Sequence, residues 1–254
     1  MVIPPAPGAP VSPHGAAGDA VALTAEPFVP SGVFASIEIG SITAEHGNTR
    51  APIDAHGLHE AERALAESLP SLLSAGFVAG RRALRAALQQ VAPNEVIGPL
   101  LRTARGAPTL PFGLTGSISH KRARAIAVAA PSAGTVLGVD LEERPLDVDL
   151  TRPSIATRIL TDIERARIEG LDALAHREAT LVHFALKEAV YKAIDPYVQR
   201  YVRFTEVELE IGAHGTAQVR LLLPEPIMRD VRIDAQWRFD GRWIIALAQS
   251  HHPL

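Results

Sequence analysis

The segment VRIDAQWRFDGRWIIALAQS, Val231 to Ser250, decides the fold class. Two strand-like runs, VRIDAQWRF and WIIALAQS, flank Asp240-Gly241, and an Asp-Gly pair in that setting is a strong hairpin signal. Upstream, FTEVELEIG (Phe204 to Gly212) and TAQVRLLL (Thr216 to Leu223) extend the same β region. Residues 117 to 142 read as further short strands: SIS, then AIAVAA, a turn at Pro131 to Gly134, and TVLGVDLE. Val33, Ala35, Ile37 and Ile39 alternate with Phe34, Ser36 and Glu38, the period-two pattern of a half-buried strand. Helical spacing governs His56 to Leu73 and Phe77 to Val91, with Pro70 between them and Pro93 after the second. A polar loop, ERPLDVDLTRP, leads to a helical stretch near Ile155 to Leu160. Thr161 with Glu164 then forms a T-x-x-E capping box for a short helix. A longer helix spans about Leu174 to Ile194 and is stopped by Asp195-Pro196. Blocks of helix and antiparallel strand, without a βαβα rhythm, predict an α+β fold. No sequence repeat relates the two halves of the chain.

The bulk properties exclude several classes. The 254 residues are 47% hydrophobic, ample for a packed core. A net charge of −3 and a pI near 6.4 offer no basic field for nucleic acid or an anionic membrane. There is no cysteine, hence no disulfide framework and no thiolate zinc site. The N-terminus lacks a basic segment followed by an apolar stretch, and no apolar run approaches the ~20 residues of a membrane span. A cytoplasmic protein is expected. Residues 1–30 carry Pro4, Pro5, Pro7, Pro10, Pro13, Pro27 and Pro30 among Ala and Gly, and are expected to be a mobile tail.

Of 25 Lys and Arg residues only three are lysines, Lys121, Lys187 and Lys192. Lys is a compact point charge that approaches a phosphate end-on. Lys187 and Lys192 flank Glu188 in FALKEAVYKAI. Glu188 and Lys192, four apart, read either as an ordinary surface pair or as part of a site. The surrounding Leu181, Val182, Phe184, Leu186, Val190 and Ile194 predict a largely buried helix, whose charges then need partners or a ligand. Asp140 and Glu142 in GVDLE project from one face of a strand, their Cα atoms about 6.6 Å apart. Leu141 points into the core. Gly138 lets a ligand or another backbone approach. Two such carboxylates are either a solvated edge or the ligands of a hard divalent cation, Mg²⁺ or Mn²⁺. Three acidic oxygen donors beside lysines suit a metal and a phosphate together. In GSISH, Ser119 and His120 point to opposite faces and lack the nucleophile-elbow pattern. They read better as phosphate or nucleotide contacts, with a structural histidine the alternative.

Taken together, RGAPTLPFGLTGSISH (Arg105 to His120), LGVDLE (Leu137 to Glu142) and FALKEAVYKA (Phe184 to Ala193) resemble the larger, monomeric 4′-phosphopantetheinyl transferases. FVAGRRALRAAL (Phe77 to Leu88) is a weaker match, and the Phe-x-x-Gly-Arg and Arg-x-x-Pro segments point to the enterobactin-type subgroup. The resemblance spans roughly residues 60 to 195. It implies two similar, pseudo-twofold-related halves, 31–137 and 138–254, each an antiparallel sheet packed with helices, with the ligand cleft between them. The second half would carry the metal site. It implies Mg²⁺-dependent transfer of 4′-phosphopantetheine from coenzyme A to a serine of an apo acyl or peptidyl carrier protein, releasing 3′,5′-adenosine bisphosphate. Asp140, Glu142 and Glu188 would hold the metal. Lys187 and Lys192 would meet the phosphates, and Arg81, Arg105, Ser119 and His120 would grip the nucleotide. Glu188 is the first choice of general base for the serine, with Lys192 stabilising the developing charge. Two departures stand out. Ser71 to Gly76, ahead of the Phe-x-x-Gly-Arg segment, has no basic residue, which shifts weight onto Arg81, Arg82 and Arg85. Lys121, Arg122 and Arg124 form a basic run that reads equally as a solvated strand edge or as a phosphate or carrier contact. Ile155 to Arg167 is the candidate surface for an acidic carrier. The competing readings are a metal-dependent phosphodiesterase or nuclease, which would need a basic groove, and a carrier-binding module without activity.

Overall fold

The computed structural model describes residues 21–24, 32–39, 55–144 and 155–252. Its first half contains β1 (Val21–Thr24), β2 (Val33–Glu38), α1 (Glu60–Ser68), α2 (Ser71–Val91), β3 (Leu114–Lys121) and β4 (Arg124–Pro131), with the strands in antiparallel order β1-β2-β4-β3. The second half contains β5 (Thr135–Glu143), α3 (Ala156–Ile159), α4 (Asp162–Ile168), α5 (Ala173–Val198), β6 (Val207–Ile211), β7 (Thr216–Leu221), β8 (Arg232–Asp240) and β9 (Trp243–His251). These strands form the order β5-β9-β8-β7-β6, again antiparallel. The expected α+β fold is therefore present, and both halves follow one plan. A strand leads to a long helix, and the strand then pairs with the second arm of the half's last hairpin: β2 with β4, and β5 with β9 after an added hairpin, β6–β7.

The two sheets bury one face against each other. Phe34, Ile126, Val128, Leu137, Val139, Leu141, Trp243, Ile245 and Leu247 form the layer between them. Their outer faces carry α2 and α5: Ala125, Ala127 and Ala129 pack under α2, and Ile244, Ala246 and Ala248 under α5. Burial on both sides explains why AIAVAA and WIIALA are nearly continuous apolar runs. It also corrects the half-buried reading of β2, where Phe34, Ala35, Ser36 and Ile37 are all buried.

Other boundaries shift for physical reasons. Val21–Thr24, inside the expected tail, pairs with β2, while residues 1–20 lie outside the described residues. β5 begins at Thr135, so Thr135 to Leu137 join the second sheet. Pro70 is the N-cap of α2, which places Ser71 to Gly76 in that helix. The β8–β9 ladder closes on the pair Asp240↔Trp243, so the turn is Gly241-Arg242, with Gly241 at φ +57. Pro196 does not stop α5. It removes only an N–H of the last turn, and the helix ends at Gln199 in the left-handed region, φ 51.

Each half holds a buried glutamate at the same place in its plan. Glu62 closes the capping box of α1 and Glu164 that of α4, and neither is exposed. Glu62 accepts from Leu100 N at 2.8 Å and from Arg85 of α2 at 2.8 Å. Glu164 accepts from Leu209 N at 2.7 Å and from Lys187 of α5 at 2.6 Å. The cations then donate to nearby carbonyls, Arg85 to Ile97 and Gly98, and Lys187 to Ile159 and Phe204. A short helix, a long helix and the chain beyond are thereby tied at one carboxylate in each half.

The helix α5 runs close over β5 because residue 138 has no side chain. A Cβ there would collide with the carbonyl oxygen of Ala189 and fall 2.9 Å from Ala193 N. Of the two uses foreseen for Gly138, the structure takes the approach of another backbone. Gly138→Ala is expected to destabilise by about 3 kcal/mol, since neither backbone can yield cheaply. A shift of the urea midpoint measures it, and an unshifted midpoint would show that β5 and α5 separate freely.

Candidate active site at the junction of the halves

β5 is the edge strand of its sheet, so alternate N–H groups find no partner in the ladder. Hydroxyls of β3 supply one. Leu137 N donates to Thr115 Oγ1 at 3.2 Å, Val139 N to Ser117 Oγ at 3.0 Å and Leu141 N to Ser119 Oγ at 3.2 Å. The opposite face of β3 lies against α2, and the ring of His120 sits where a Cβ on Gly76 would be 2.8 Å from it. Thr-x-Ser-x-Ser at period two is a signal that sequence reading of the site passed over.

This seam positions Asp140. Its Oδ1 accepts from Ser119 Oγ at 2.8 Å and from Lys192 Nζ at 2.8 Å, and Lys192 also donates to Val139 O at 2.8 Å. Its other oxygen, Oδ2, is buried without a hydrogen-bond partner among the described residues. Glu142, on the same face of β5, is held by Lys121 Nζ at 2.8 Å from Oε1. Glu188 of α5 completes the group. Burial pushes the Glu142 carboxyl up, with Asp140 adding to the rise and Lys121 opposing it. Burial likewise raises Glu188, reinforced first by the charge of Asp140 and then by Glu142, against Lys192. Three carboxylates therefore feel one another across β5 and α5.

A cationic wall faces them. Burial lowers the His120 imidazole, and the charges of Lys192, Arg102 and Arg81 lower it further, so the ring is neutral at neutral pH. Arg81 turns inward, donating to Leu100 O and lying 4.6 Å over the Phe77 ring, and its Nη2 is buried without a partner among the described residues. Burial and the neighbouring Arg102 bring its pKa down to about 10. Arg102, exposed on the loop before β3, was not singled out from sequence. Its proximity to His120 depends on a fold-back marked by the bridge Arg102↔Pro108.

Arg105 and Lys187 are placed differently from the expectation. Arg105 is bound to Asp195 at 3.0 and 2.9 Å from Nε, to Tyr191 OH at 3.2 Å and to Arg200 O at 3.1 Å. It fastens the loop of the first half to the end of α5, one turn beyond Lys192. Lys187 is 1% exposed and its ammonium is taken up by Glu164, Ile159 O and Phe204 O. In this arrangement it has no hydrogen to offer a phosphate, which corrects the expected pairing of Lys187 with Lys192. Lys121, without a role at the outset, lies on Glu142.

Comparison with known families settles the lineage. The model of the 4′-phosphopantetheinyl transferase superfamily matches residues 136–248, and that of the 4′-phosphopantetheinyl transferase N-terminal domain matches residues 61–130. The 4′-phosphopantetheinyl transferase Svp of Streptomyces mobaraensis is 35% identical over 207 residues, 78% of this chain and 79% of its own. The chain belongs to the 4′-phosphopantetheinyl transferases. The transferase Npt of Nocardia iowensis is 31% identical over 74% of this chain and 84% of its own. Among solved structures, the ACPS–CoA complex of Chronobacterium ammoniagenes is similar over 47% of this chain and 98% of its own, at 23% identity and a TM-score of 0.39. The two family models fall on the two halves of this transferase, so the larger type foreseen from the motifs is the one present. No helix among the described residues is long and apolar enough to cross a membrane.

Whether the carboxylates suit a divalent cation can be tested on the transferase itself. Among the described residues no three His, Cys, Asp or Glu side chains already form a metal cage. The donor set is nonetheless all oxygen, and Asp140 Oδ2 is a buried acceptor with nothing to accept. Two of the carboxyls are pushed up by burial and like charge. A hard cation answers each of these features, so the residues fit one.

Proposed function

We propose that this transferase moves 4′-phosphopantetheine from coenzyme A to a serine of apo acyl or peptidyl carrier proteins of polyketide, nonribosomal peptide or fatty acid synthases, releasing 3′,5′-adenosine bisphosphate. The observation that carries the reading is Asp140, bridged by Ser119 and Lys192 with one buried oxygen unpaired, beside Glu142 and Glu188. Asp140, Glu142 and Glu188 would hold Mg²⁺, or Mn²⁺ in its place. Such an ion, when bound, neutralises pyrophosphate charge. Lys192, fixed by Val139 O and Asp140, offers its remaining charge to the same phosphates. His120, Arg81 and Arg102 form the wall for the nucleotide and its 3′-phosphate, the neutral His120 donating a single N–H. Arg105 contributes by holding the loop in place, and supports the enterobactin-type affiliation only through its motif.

In the reaction the serine Oγ–P bond forms at the β-phosphorus and the bond from that phosphorus to the bridging oxygen breaks. The serine proton passes to Glu188. Ile155 and Ile163, 44% and 47% exposed at the helices following β5, support the carrier-docking role given to Ile155 to Arg167. A monomer acting in the cytoplasm belongs to the same reading. Incubation with apo carrier proteins, coenzyme A and Mg²⁺, followed by intact mass of the carrier, tests it. A phosphopantetheine adduct is expected, and its absence on several carrier types would refute the reading.

A further inference from the structure

Lys121 ends β3, and its backbone is fixed by the ladder pair with Arg124 across a tight turn in which Arg122 sits at φ +42. From there its ammonium reaches both oxygens of Glu142, 2.8 Å to Oε1 and 2.5 Å to Oε2. The two site lysines differ in what they leave open. Lys192 engages one oxygen of Asp140 and also donates to Val139 O, so Asp140 keeps Oδ2 available. Lys121 engages both oxygens of Glu142. Among the described residues Glu142 is its only polar partner, and at 38% side-chain exposure it is free to swing into solvent.

Resting on the reading that Asp140, Glu142 and Glu188 hold a divalent cation, we infer that Lys121 is an internal competitor for that cation. Its ammonium occupies Glu142 in the metal-free protein and must be displaced before the glutamate can ligate. A monovalent and a divalent charge seek the same two oxygens, and they repel each other at that distance. Lys121 therefore sets the metal affinity of the site from outside the ligand set. Lys192 does not, because Asp140 can ligate without losing it.

The test is direct binding of Mn²⁺, followed by the electron paramagnetic resonance signal of the free ion, with the full chain and no coenzyme A. Lys121→Met is expected to bind about two- to fivefold more tightly than the parent, the scale of a partly exposed ion pair. Lys121→Arg, which keeps the charge, should stay near the parent, and Lys121→Gln should follow Lys121→Met if the latter folds poorly. Equal or weaker binding by the neutral variants overturns the competition. In that case Mn²⁺ binding by the parent, lost in Asp140→Asn, leaves the metal reading intact. Absence of Mn²⁺ binding throughout overturns both.

Discussion

Asp140→Asn reduces phosphopantetheine transfer at least about 100-fold while the protein stays folded. Asparagine has the shape of aspartate, and its oxygen can still accept from Ser119 and Lys192, so the seam between β3 and β5 survives. What disappears is the charge at Oδ2, a buried site oxygen with no partner among the described residues. The raised carboxyls of Glu142 and Glu188 should also relax, since Asp140 contributes to both. Initial rates of carrier modification, measured beside a thermal melt, check the claim. A variant that melts normally and transfers at the parental rate would remove Asp140 from the chemistry.

Lys187→Met unfolds the protein more easily by about 3 kcal/mol, the low end for stripping one partner from a buried ion pair. The low end applies because Glu164 would keep the backbone donors Thr161 N and Leu209 N, each at 2.7 Å. The same substitution is expected to leave KM for coenzyme A unchanged in the folded fraction. Chemical denaturation gives the first quantity and saturation kinetics below the melting transition the second. An unchanged denaturation midpoint with a many-fold rise in KM would return Lys187 to the phosphates.

Much of this was legible in the residues. The hairpin marked by Asp240-Gly241, whose turn moves by one residue, the T-x-x-E box and the shared face of Asp140 and Glu142 all depend on short spacing. The division between Lys187 and Lys192 was also encoded, though it was not read. Residues five apart on a helix lie about 140° apart around its axis, whereas Glu188 and Lys192 are about 40° apart. One lysine had to face away from the site. Pro196 misled because a proline is disruptive in a helix interior and tolerable at its last turn. The positions of Arg102 and Lys121 could not be read locally, since Arg102 reaches His120 through a fold-back of the loop before β3 and Lys121 acts across the join of the halves. Their partners lie at distances along the chain that no periodicity reports.

The matched glutamates of α1 and α4 make the two long helices comparable residue by residue. Arg85 and Lys187 answer to the same buried carboxylate position. One residue further, α5 has Glu188 where α2 has Ala86, and five residues further Lys192 stands against Gln90. The doubled architecture is thus electrically lopsided. One copy supplies the acids and their lysine; its twin supplies His120, the arginines and the hydroxyls that hold the acids in line. A substrate carrying several negative charges and needing one cation meets a surface with a fixed polarity, and so has only one way round to bind.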